Sequence, residues 1–370
     1  MRPLDREDAS PEVKRFHQHL RQEVLPLRPS QYDISDTCNL FCEGCLFFAG
    51  SDHAGRRAAD DLEAVDRFFA GEAARGVNYA EVAGAEPSLV EDKLVIMTRH
   101  IPHGVIYTNG TKKLTAEITH RLQISLWGLP KQSEKLRGAD VVAKQVKNYR
   151  DDPRAIFVFT VTGDNVATIP DIVRFCADEG MRLSFNHYSP TESYLARLPA
   201  PAGARDDYFR FSDENDNLLL SRASLARSKD LIDAAMEQYP RTVLYDRAFN
   251  AWIHDPGGLH DLDPGTGVAT HCACKITKSY RHFHADLTDA GEVKCATPNI
   301  ACDSCRLYAQ SLGTLLARRT RPALQGDGFE EWVRLWRLWY MLFWGNLPAE
   351  FDPAIAAPHR LAATVAEEAS

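Results

Sequence analysis

Short apolar or β-branched stretches alternate with amphipathic stretches between residues 31 and 195. Each short stretch predicts a buried β-strand, because its length and composition suit a strand that is covered on both faces. The predicted strands cover residues 32–35, 78–83, 104–108, 122–126, 155–162 and 181–187. Apolar residues on one helical face predict one helix that ends at Gly76 and another that ends at Gly180.

Strands that alternate with helices indicate parallel βαβ units, so the predicted fold class is α/β. Six units favour a partial (β/α)6 barrel of the TIM type over residues 31–195. In parallel α/β folds the chemistry lies at the carboxyl ends of the strands. Residues 1–30 are polar with several prolines, and we expect them to form a short leader that lies on the surface.

The rhythm changes after Pro190. Residues 196–270 are rich in Pro, Asp and Gly, with one helix at about 224–239, and form the predicted substrate or linker region. Residues 271–315 predict a small cysteine-rich domain. Residues 316–370 contain a helix with Trp332, Trp336 and Trp339 on one face, followed by an alanine-rich tail. Core packing or a homodimer contact explains this face better than membrane adsorption does.

Composition and charge exclude several classes of protein. The 370 residues include 43 Lys and Arg against 51 Asp and Glu, a net charge of −8, which gives no field to attract a nucleic acid. The longest strongly apolar run, 338–344, is far shorter than the ~20 residues that span a membrane. The first residues lack the apolar stretch of a secretion signal, so we expect a cytoplasmic protein.

The nine cysteines fall into two dense groups and one isolated residue. An odd count in a chain without a signal argues against a disulfide framework, and the grouping favours two metal sites. Cys176 lies on an apolar helical stripe and is predicted to be a buried thiol. The two groups are Cys38, Cys42 and Cys45, and Cys272, Cys274, Cys295, Cys302 and Cys305.

The first group has the spacing C-x3-C-x2-C and follows the first predicted strand. Three thiolates on one loop can hold three irons of a four-iron cluster and leave the fourth iron open for chemistry. The alternative is a structural zinc site that lacks its fourth ligand, although zinc sites favour C-x2-C pairs. Asp33 and Asp36, beside this loop, are expected either to contact substrate or to stabilise the loop.

This spacing after the first strand of a six-strand α/β barrel resembles the radical S-adenosylmethionine (radical SAM) superfamily. The segment 83–87, Ala-Gly-Ala-Glu-Pro, is similar to the family's Gly-Gly-Glu-Pro, which binds the amino group of SAM. The segment 107–110, Tyr-Thr-Asn-Gly, is similar to the family's frequent Thr-Asn-Gly. The resemblance implies SAM contacts for Gly84, Glu86, Thr108 and Asn109, for Ser125 and Arg137 at the ribose and carboxylate, and for Asn165 and Tyr188 at the adenine.

Two features depart from the family pattern. The family usually has an aromatic residue just before the third cysteine, where this chain has Gly44, and Phe41 or Phe47 is the expected replacement. Alanines flank Gly84 where glycines are commoner. Neither change removes an iron ligand.

The resemblance implies a mechanism and a set of partners. SAM would chelate the open iron, and one electron would cleave it to methionine and a 5′-deoxyadenosyl radical that takes a hydrogen atom from the substrate. The implied electron donor is a flavodoxin or a ferredoxin. The cofactors carry the chemistry, and the protein supplies orientation and exclusion of side reactions.

The second group resembles the shorter, "twitch"-type auxiliary domain of radical SAM proteins. Alternation over 280–287 and a turn signal at 288–291 predict a β-hairpin that returns Cys295 towards Cys272 and Cys274. The cysteines suffice for one auxiliary four-iron cluster, and the fuller "SPASM" version would need more beyond Cys305. A zinc site is the alternative.

Five thiols exceed the four ligands that a cluster needs. We expect Cys272 and Cys274 to lie on an extended strand, with one of them spare as a packing residue or as a hydrogen-atom donor. His282 and His284 share the strand face of Asp286. A solvated hairpin face is favoured for them over a substrate contact or a cluster ligand.

Three functions fit these features. The first is a radical SAM oxidoreductase that oxidises or epimerises a small polar molecule such as a sugar, an aminocyclitol or a nucleoside. The second is a radical SAM maturase of a ribosomally made peptide. The third is a non-enzymatic iron–sulfur or zinc-binding protein. The sequence identifies no substrate, because fold analogy does not reach the substrate contacts.

Overall fold

The computed structural model describes residues 8–48, 56–199, 206–291, 295, 297, 299–325 and 328–351. Its strands are β1 Pro29–Asp33, β2 Tyr79–Ala83, β3 Gly104–Thr108, β4 Arg121–Leu126, β5 Ala155–Val161, β6 Leu183–His187 and β7 His282–Phe283. They form one sheet in the order β6-β5-β4-β3-β2-β1-β7, and every neighbouring pair is parallel. The six predicted strands and the partial (β/α)6 barrel are therefore confirmed.

Helices fill the connections between the strands. The first six are α1 Pro11–Glu23, α2 Leu62–Ala74, α3 Glu91–His100, α4 Pro130–Arg137, α5 Val142–Tyr149 and α6 Ile169–Asp178. The others are α7 Glu192–Arg197, α8 Arg222–Gln238, α9 Arg247–Ile253, α10 Ala273–Ile276, α11 Tyr308–Gln325 and α12 Phe329–Trp339, which continues as a π-helical turn, Tyr340–Trp344. None of the helices in the described part of the chain has the length and apolarity that crossing a bilayer requires.

The outer face of the barrel carries the larger hydrophobic cluster. Alternate strand residues such as Tyr32 and Phe157 point outwards and are buried with Phe69 of α2 and Ile172 of α6. This packing follows the alternation of side chains along a strand. The other face of each strand points into the barrel, where the functional residues lie.

The last helices close the barrel at the end where the strands begin. Tyr79, the first residue of β2, donates its hydroxyl hydrogen to the carbonyl of Phe343 at 2.9 Å. Arg121, the first residue of β4, donates from Nε to the carbonyl of Met341 at 2.9 Å. Trp332 is 5% exposed and donates from Nε1 to the Leu316 carbonyl at 3.1 Å.

Trp332 and Trp339 of the Trp-rich face are buried within the chain, as the core-packing explanation predicts, and the homodimer contact stays a prediction. The helix covers the open end of an incomplete barrel, where apolar strand residues such as Val105 and Ile156 would otherwise face water. The alanine-rich tail, 352–370, lies outside the described residues.

The predicted surface leader is instead the helix α1, which is part of the core. Phe16 and Leu20 are 0% and 1% exposed and pack in the cluster that contains α12. Ser10 caps the helix by accepting from the Val13 amide at 3.3 Å. The polar composition of this segment conceals an apolar stripe that only one helical face presents.

Candidate functional site

A cavity of about 290 Å³ lies at the carboxyl ends of the strands. It is lined by the loop that carries the first cysteine group and by the ends of β2, β3 and β4. The predicted site residues that line it are Cys38, Cys42, Cys45, Gly84, Glu86, Thr108, Asn109, Ser125, Arg137 and Tyr188. Residues that lie far apart in the sequence therefore meet in one cavity, as parallel α/β folds dictate.

The cysteine loop is tightly wound around Gly44. The Cys45 amide donates to the Cys42 carbonyl at 3.2 Å, and Gly44 has a φ of 57°. A Cβ at this position would lie 2.2 Å from the hydroxyl oxygen of Tyr188. An aromatic ring from the end of β6 thus stands beside the loop at the position where the sequence lacks one. Phe47 also lines the cavity, whereas Phe41 is 45% exposed.

The first three thiols are partly shielded from water and have polar neighbours. Burial raises the pKa of Cys38, and it raises the pKa of Cys45 to about 12. Arg137 Nε donates to Cys42 Sγ at 3.4 Å, and Asn109 Nδ2 donates to Cys38 Sγ at 3.8 Å. A thiol that is shielded from water loses its proton readily only when a nearby cation stabilises the thiolate. These three sulfur donors therefore suit a metal centre.

Glu86 joins the ends of two neighbouring strands. Its carboxylate accepts from the Thr108 hydroxyl at 2.5 Å and from the Asn109 amide at 2.7 Å. The side chain is buried and lines the cavity, so it keeps an acidic group at this wall. Gly84, with a φ of 109°, lets this segment approach the end of β1, because a Cβ there would lie 2.9 Å from the Ile34 nitrogen.

Asn165 does not line the cavity. Its Nδ2 donates to the carbonyls of Trp127 at 3.1 Å and Thr160 at 2.8 Å, and its Oδ1 accepts from the Thr162 amide at 2.7 Å. The side-chain amide of Asn165 is thus used to shape the loop after β5, and its predicted adenine contact stays a prediction. A short polar residue after a strand forms such backbone bonds as readily as it binds a ligand.

Three buried polar atoms at the cavity have no hydrogen-bond partner among the described residues. They are the hydroxyls of Tyr107 and Tyr308 and Oε1 of Gln123. Buried polar groups are nearly always hydrogen-bonded, so each indicates a place for a ligand atom or a water. Sequence reasoning missed Gln123 and Tyr308. Gln123 could have been found, because it is a polar residue within the buried strand β4. Tyr308 could not, because the sequence does not show where α11 lies.

The second cysteine group also comes together. Cys272, Cys274 and Cys302 pack in one cluster, and Cys295, Cys302 and Cys305 in another. Burial raises the pKa of Cys295 and of Cys305 to about 12. Cys272 interacts electrostatically with each of Cys295, Cys302 and Cys305. These four thiols supply the number of ligands that one four-iron cluster or one zinc ion needs.

Cys272 and Cys274 differ in their surroundings. The predicted extended strand is wrong here, because Cys272 caps α10 and Cys274 lies within it. A hydrogen bond from the Cys274 thiol lowers the pKa of Cys272 to about 6 and raises that of Cys274. Tyr280, which neighbours Cys274, donates to Gln31 Oε1 at 2.8 Å. The hydrogen bond with Cys272 and burial thus set Cys274 apart from its neighbour, since both raise its pKa.

The face of His282 and His284 is not solvated, contrary to prediction. The two side chains are buried, and His282 Nε2 lies 2.9 Å from Asp33 Oδ2. The predicted hairpin is present in short form: Phe283 bridges Asp289 in antiparallel fashion, the His284 amide donates to the Thr288 carbonyl at 2.9 Å, and the Ala290 amide donates to the His282 carbonyl at 2.8 Å. The first arm of the hairpin is β7, which pairs with β1, and this pairing buries both faces of the arm. The returning residues 292–294 lie outside the described residues.

The remaining candidates are more ordinary. Cys176 is fully buried, as predicted, and burial raises its pKa to about 12. Asp36 lies 3.7 Å from Arg57, whose side chain is 88% exposed, an ion pair that contributes little. Asp33, in contrast, lines the cavity.

Comparisons with known proteins give fold-level similarity only. No family model matches the chain, and no curated protein matches it. The solved structure of native anSMEcpe with bound AdoMet is similar, with a TM-score of 0.47 and 13% identity over 92% of this chain and 100% of that one. Native anSMEcpe with bound AdoMet and Cp18Cys peptide gives a TM-score of 0.46 and 13% identity over 86% and 97% of the two chains.

The cysteine loop and the two strand-end motifs thus converge on one cavity of a partial (β/α)6 barrel. This fold and this convergence are the arrangement that the sequence motifs predict.

Proposed function

We propose that this protein is a radical SAM enzyme with one auxiliary four-iron cluster. The observation that supports it best is the cavity shared by the three thiols of one loop with Glu86, Thr108 and Asn109. Three sulfur donors leave one iron of a four-iron cluster without a protein ligand, which is the vacancy that this chemistry needs. When bound, the cluster and SAM supply a one-electron cleavage that produces a hydrogen-abstracting radical.

The residues of the chain bind SAM and orient it. Glu86 presents a buried carboxylate to the amino group of SAM, while Thr108 and the Asn109 amide fix that carboxylate in place. Arg137 carries a positive charge beside Cys42, which suits the SAM carboxylate. Tyr188 offers an aromatic face for the adenine. Leu40 and Leu46 line the same cavity and exclude water from the reacting centre.

We propose a small polar molecule as the first substrate class. The unpartnered atoms of Tyr107, Gln123 and Tyr308 favour a ligand rich in hydrogen-bonding groups, such as a sugar, an aminocyclitol or a nucleoside. A ribosomally made peptide is the second class. Apolar Phe47 and Trp127 line the cavity too and would suit a peptide side chain.

The spare thiol separates two outcomes. An epimerase must return a hydrogen atom to its substrate, and the candidate donor is Cys274, a buried thiol of α10 whose pKa is raised by its hydrogen bond with Cys272 and by burial. A dehydrogenase needs no such donor and would accept a change at this position. Deuterium uptake from solvent that is lost in Cys274→Ala supports epimerisation, whereas an oxidised product that both proteins form supports dehydrogenation.

The class of enzyme is tested by anaerobic reconstitution with iron and sulfide. We expect about eight irons per chain for two clusters, and reductive cleavage of SAM to 5′-deoxyadenosine. Cys38→Ala, Cys42→Ala and Cys45→Ala should each abolish cleavage, whereas Cys176→Ala, a buried thiol outside both groups, should retain it. Cleavage that persists in all three loop variants would overturn the proposal, and so would a reconstituted protein without iron.

The substrate is tested with the same holoprotein and a flavodoxin or ferredoxin as electron donor. Pools of sugars, aminocyclitols and nucleosides form one arm, and synthetic precursor peptides form the other, with products read by mass spectrometry. Tyr107→Phe and Tyr308→Phe should raise KM for a small polar substrate more than they change SAM cleavage. A modified peptide with no change in the small-molecule arm decides for the second class.

A further inference from the structure

Strand β7 brings two histidines against β1 on the inner face of the barrel. The two strands pair in parallel, with Gln31 opposite His282 and Tyr32 opposite Phe283. Tyr32 and Phe283 point outwards, with their rings stacked at 5.6 Å. Because side chains alternate along a strand, the flanking residues point inwards. Asp33, His282 and His284 therefore meet on the inner face.

The three side chains form a compact, buried group. Asp33, His282 and His284 are 4%, 1% and 5% exposed. One ligand atom from each lies within 4.8 Å of the others, and His282 Nε2 is 2.9 Å from Asp33 Oδ2. Nδ1 of His282 has no hydrogen-bond partner among the described residues. Burying an imidazole nitrogen without a partner is costly.

We infer that Asp33, His282 and His284 bind one divalent transition-metal ion, separate from both cysteine groups. Two imidazoles and one carboxylate are the donor set that ferrous iron and zinc accept while keeping coordination positions open. Among the described residues the ligand group consists of Asp33, His282 and His284 and includes no cysteine. Asp33 and His282 lie in the paired strands β1 and β7, and His284 follows β7 directly, so the site is built at the edge of the sheet.

The location gives the ion a function. Asp33 lines the cavity, so an open position on the ion would be reached from the space in which we place the substrate. A divalent ion there would bind a hydroxyl or carboxylate oxygen of the substrate and orient it as a Lewis acid does. This role concerns substrate binding and does not depend on how SAM is cleaved.

The test measures zinc and iron in the same sample. Holoprotein with its iron in place is dialysed anaerobically to equilibrium against micromolar Zn²⁺ and analysed by mass spectrometry of the metals. We expect about one zinc per chain with the iron content unchanged. Asp33→Asn, His282→Ala and His284→Ala should each weaken zinc binding about 100-fold, since even the loss of an outer partner costs about 10–100-fold.

His100→Ala is the matched control. His100 Nε2 lies 2.9 Å from Asp66 Oδ1, which is the same pair of groups without the third ligand, so this variant should bind zinc as the wild type does. Wild-type protein that binds no zinc would overturn the inference, and so would zinc that survives all three substitutions. Asp33→Asn preserves side-chain shape and decides the question if a histidine variant fails to fold. Because the readout is zinc content, a failure of SAM cleavage would not be confused with it.

Discussion

The hydroxyl of Tyr188 donates a hydrogen bond to the carbonyl of Gly44 at 3.0 Å. The two residues lie 144 positions apart, yet the ring of one fills the space that a side chain on the other would need. The cysteine loop and the end of β6 are thereby fitted to each other. This contact gives a physical reason for glycine before the third cysteine, since the aromatic group at this place comes from another strand.

Gly44→Ala should reduce cluster assembly. The left-handed φ of 57° costs a non-glycine residue about 1–2 kcal/mol, and the added Cβ would lie 2.2 Å from the Tyr188 hydroxyl. We expect lower iron content after reconstitution and a lower melting temperature. Gly71→Ala, in α2 with nothing within 4 Å of its Cβ, should be neutral or slightly stabilising.

A second substitution tests the cause of that effect. Tyr188→Phe removes the oxygen that the new Cβ would meet, so the double variant should recover part of the iron content that Gly44→Ala loses. Equal iron contents in the wild type and Gly44→Ala would contradict this account of the loop.

Cys272→Ala and Cys274→Ala should differ in iron content. We propose Cys274 as the spare thiol, because Cys272 interacts with Cys295, Cys302 and Cys305, whereas the hydrogen bond with Cys272 raises the pKa of Cys274. We expect the Cys272→Ala variant to contain about four irons per chain instead of about eight, and the Cys274→Ala variant to contain about eight. Colorimetric iron analysis and Mössbauer spectroscopy distinguish the two. Loss of four irons in Cys274→Ala alone would reverse the assignment.

Tyr79→Phe should destabilise the fold, whereas Tyr107→Phe should not. Tyr79 bonds the Phe343 carbonyl, which its loss leaves buried and unpaired at a cost of about 1–3 kcal/mol. The Tyr107 hydroxyl has no partner among the described residues, so removing it breaks no protein contact. Both residues lie in neighbouring strands and face inwards. Melting temperatures of the two holoproteins check the difference, and equal losses would argue against the closing role of the last helices.

His120 should make stability depend on pH below neutrality. Burial lowers the pKa of this imidazole to about 3. In the unfolded chain the imidazole binds a proton below about pH 6.5, whereas in the folded chain it stays neutral until the pH is far lower. The contribution of neutral His120 to the free energy of unfolding is therefore complete above about pH 6.5. It falls as the pH falls, by about 2 kcal/mol at pH 5.

His120→Gln isolates this contribution. The variant keeps a polar side chain near Thr98 but takes up no proton, so it should lose less stability between pH 7 and pH 5 than the wild type. His187 and His254 are buried and retain their own dependence in both proteins. Melting curves at the two pH values provide the comparison, and parallel losses would contradict the expectation.

The sequence by itself determined the barrel and the first site. Strand positions followed from short apolar runs, since burial on both faces leaves little freedom in residue choice. β3 lies at the residues predicted for it, Gly104–Thr108. The motif around Glu86 sits on the cavity wall because a parallel sheet brings all strand ends to one edge.

The tertiary structure alone decided which polar residues became partners. The sequence does not show that His282 and Asp33 lie on adjacent strands or that α12 closes the barrel. Nor does it show that the side-chain amide of Asn165 donates to a backbone carbonyl. Local pattern fixes which face of an element is apolar, but not the element it packs against. That choice depends on the free energy of burying the whole surface, and it is settled only when distant segments meet.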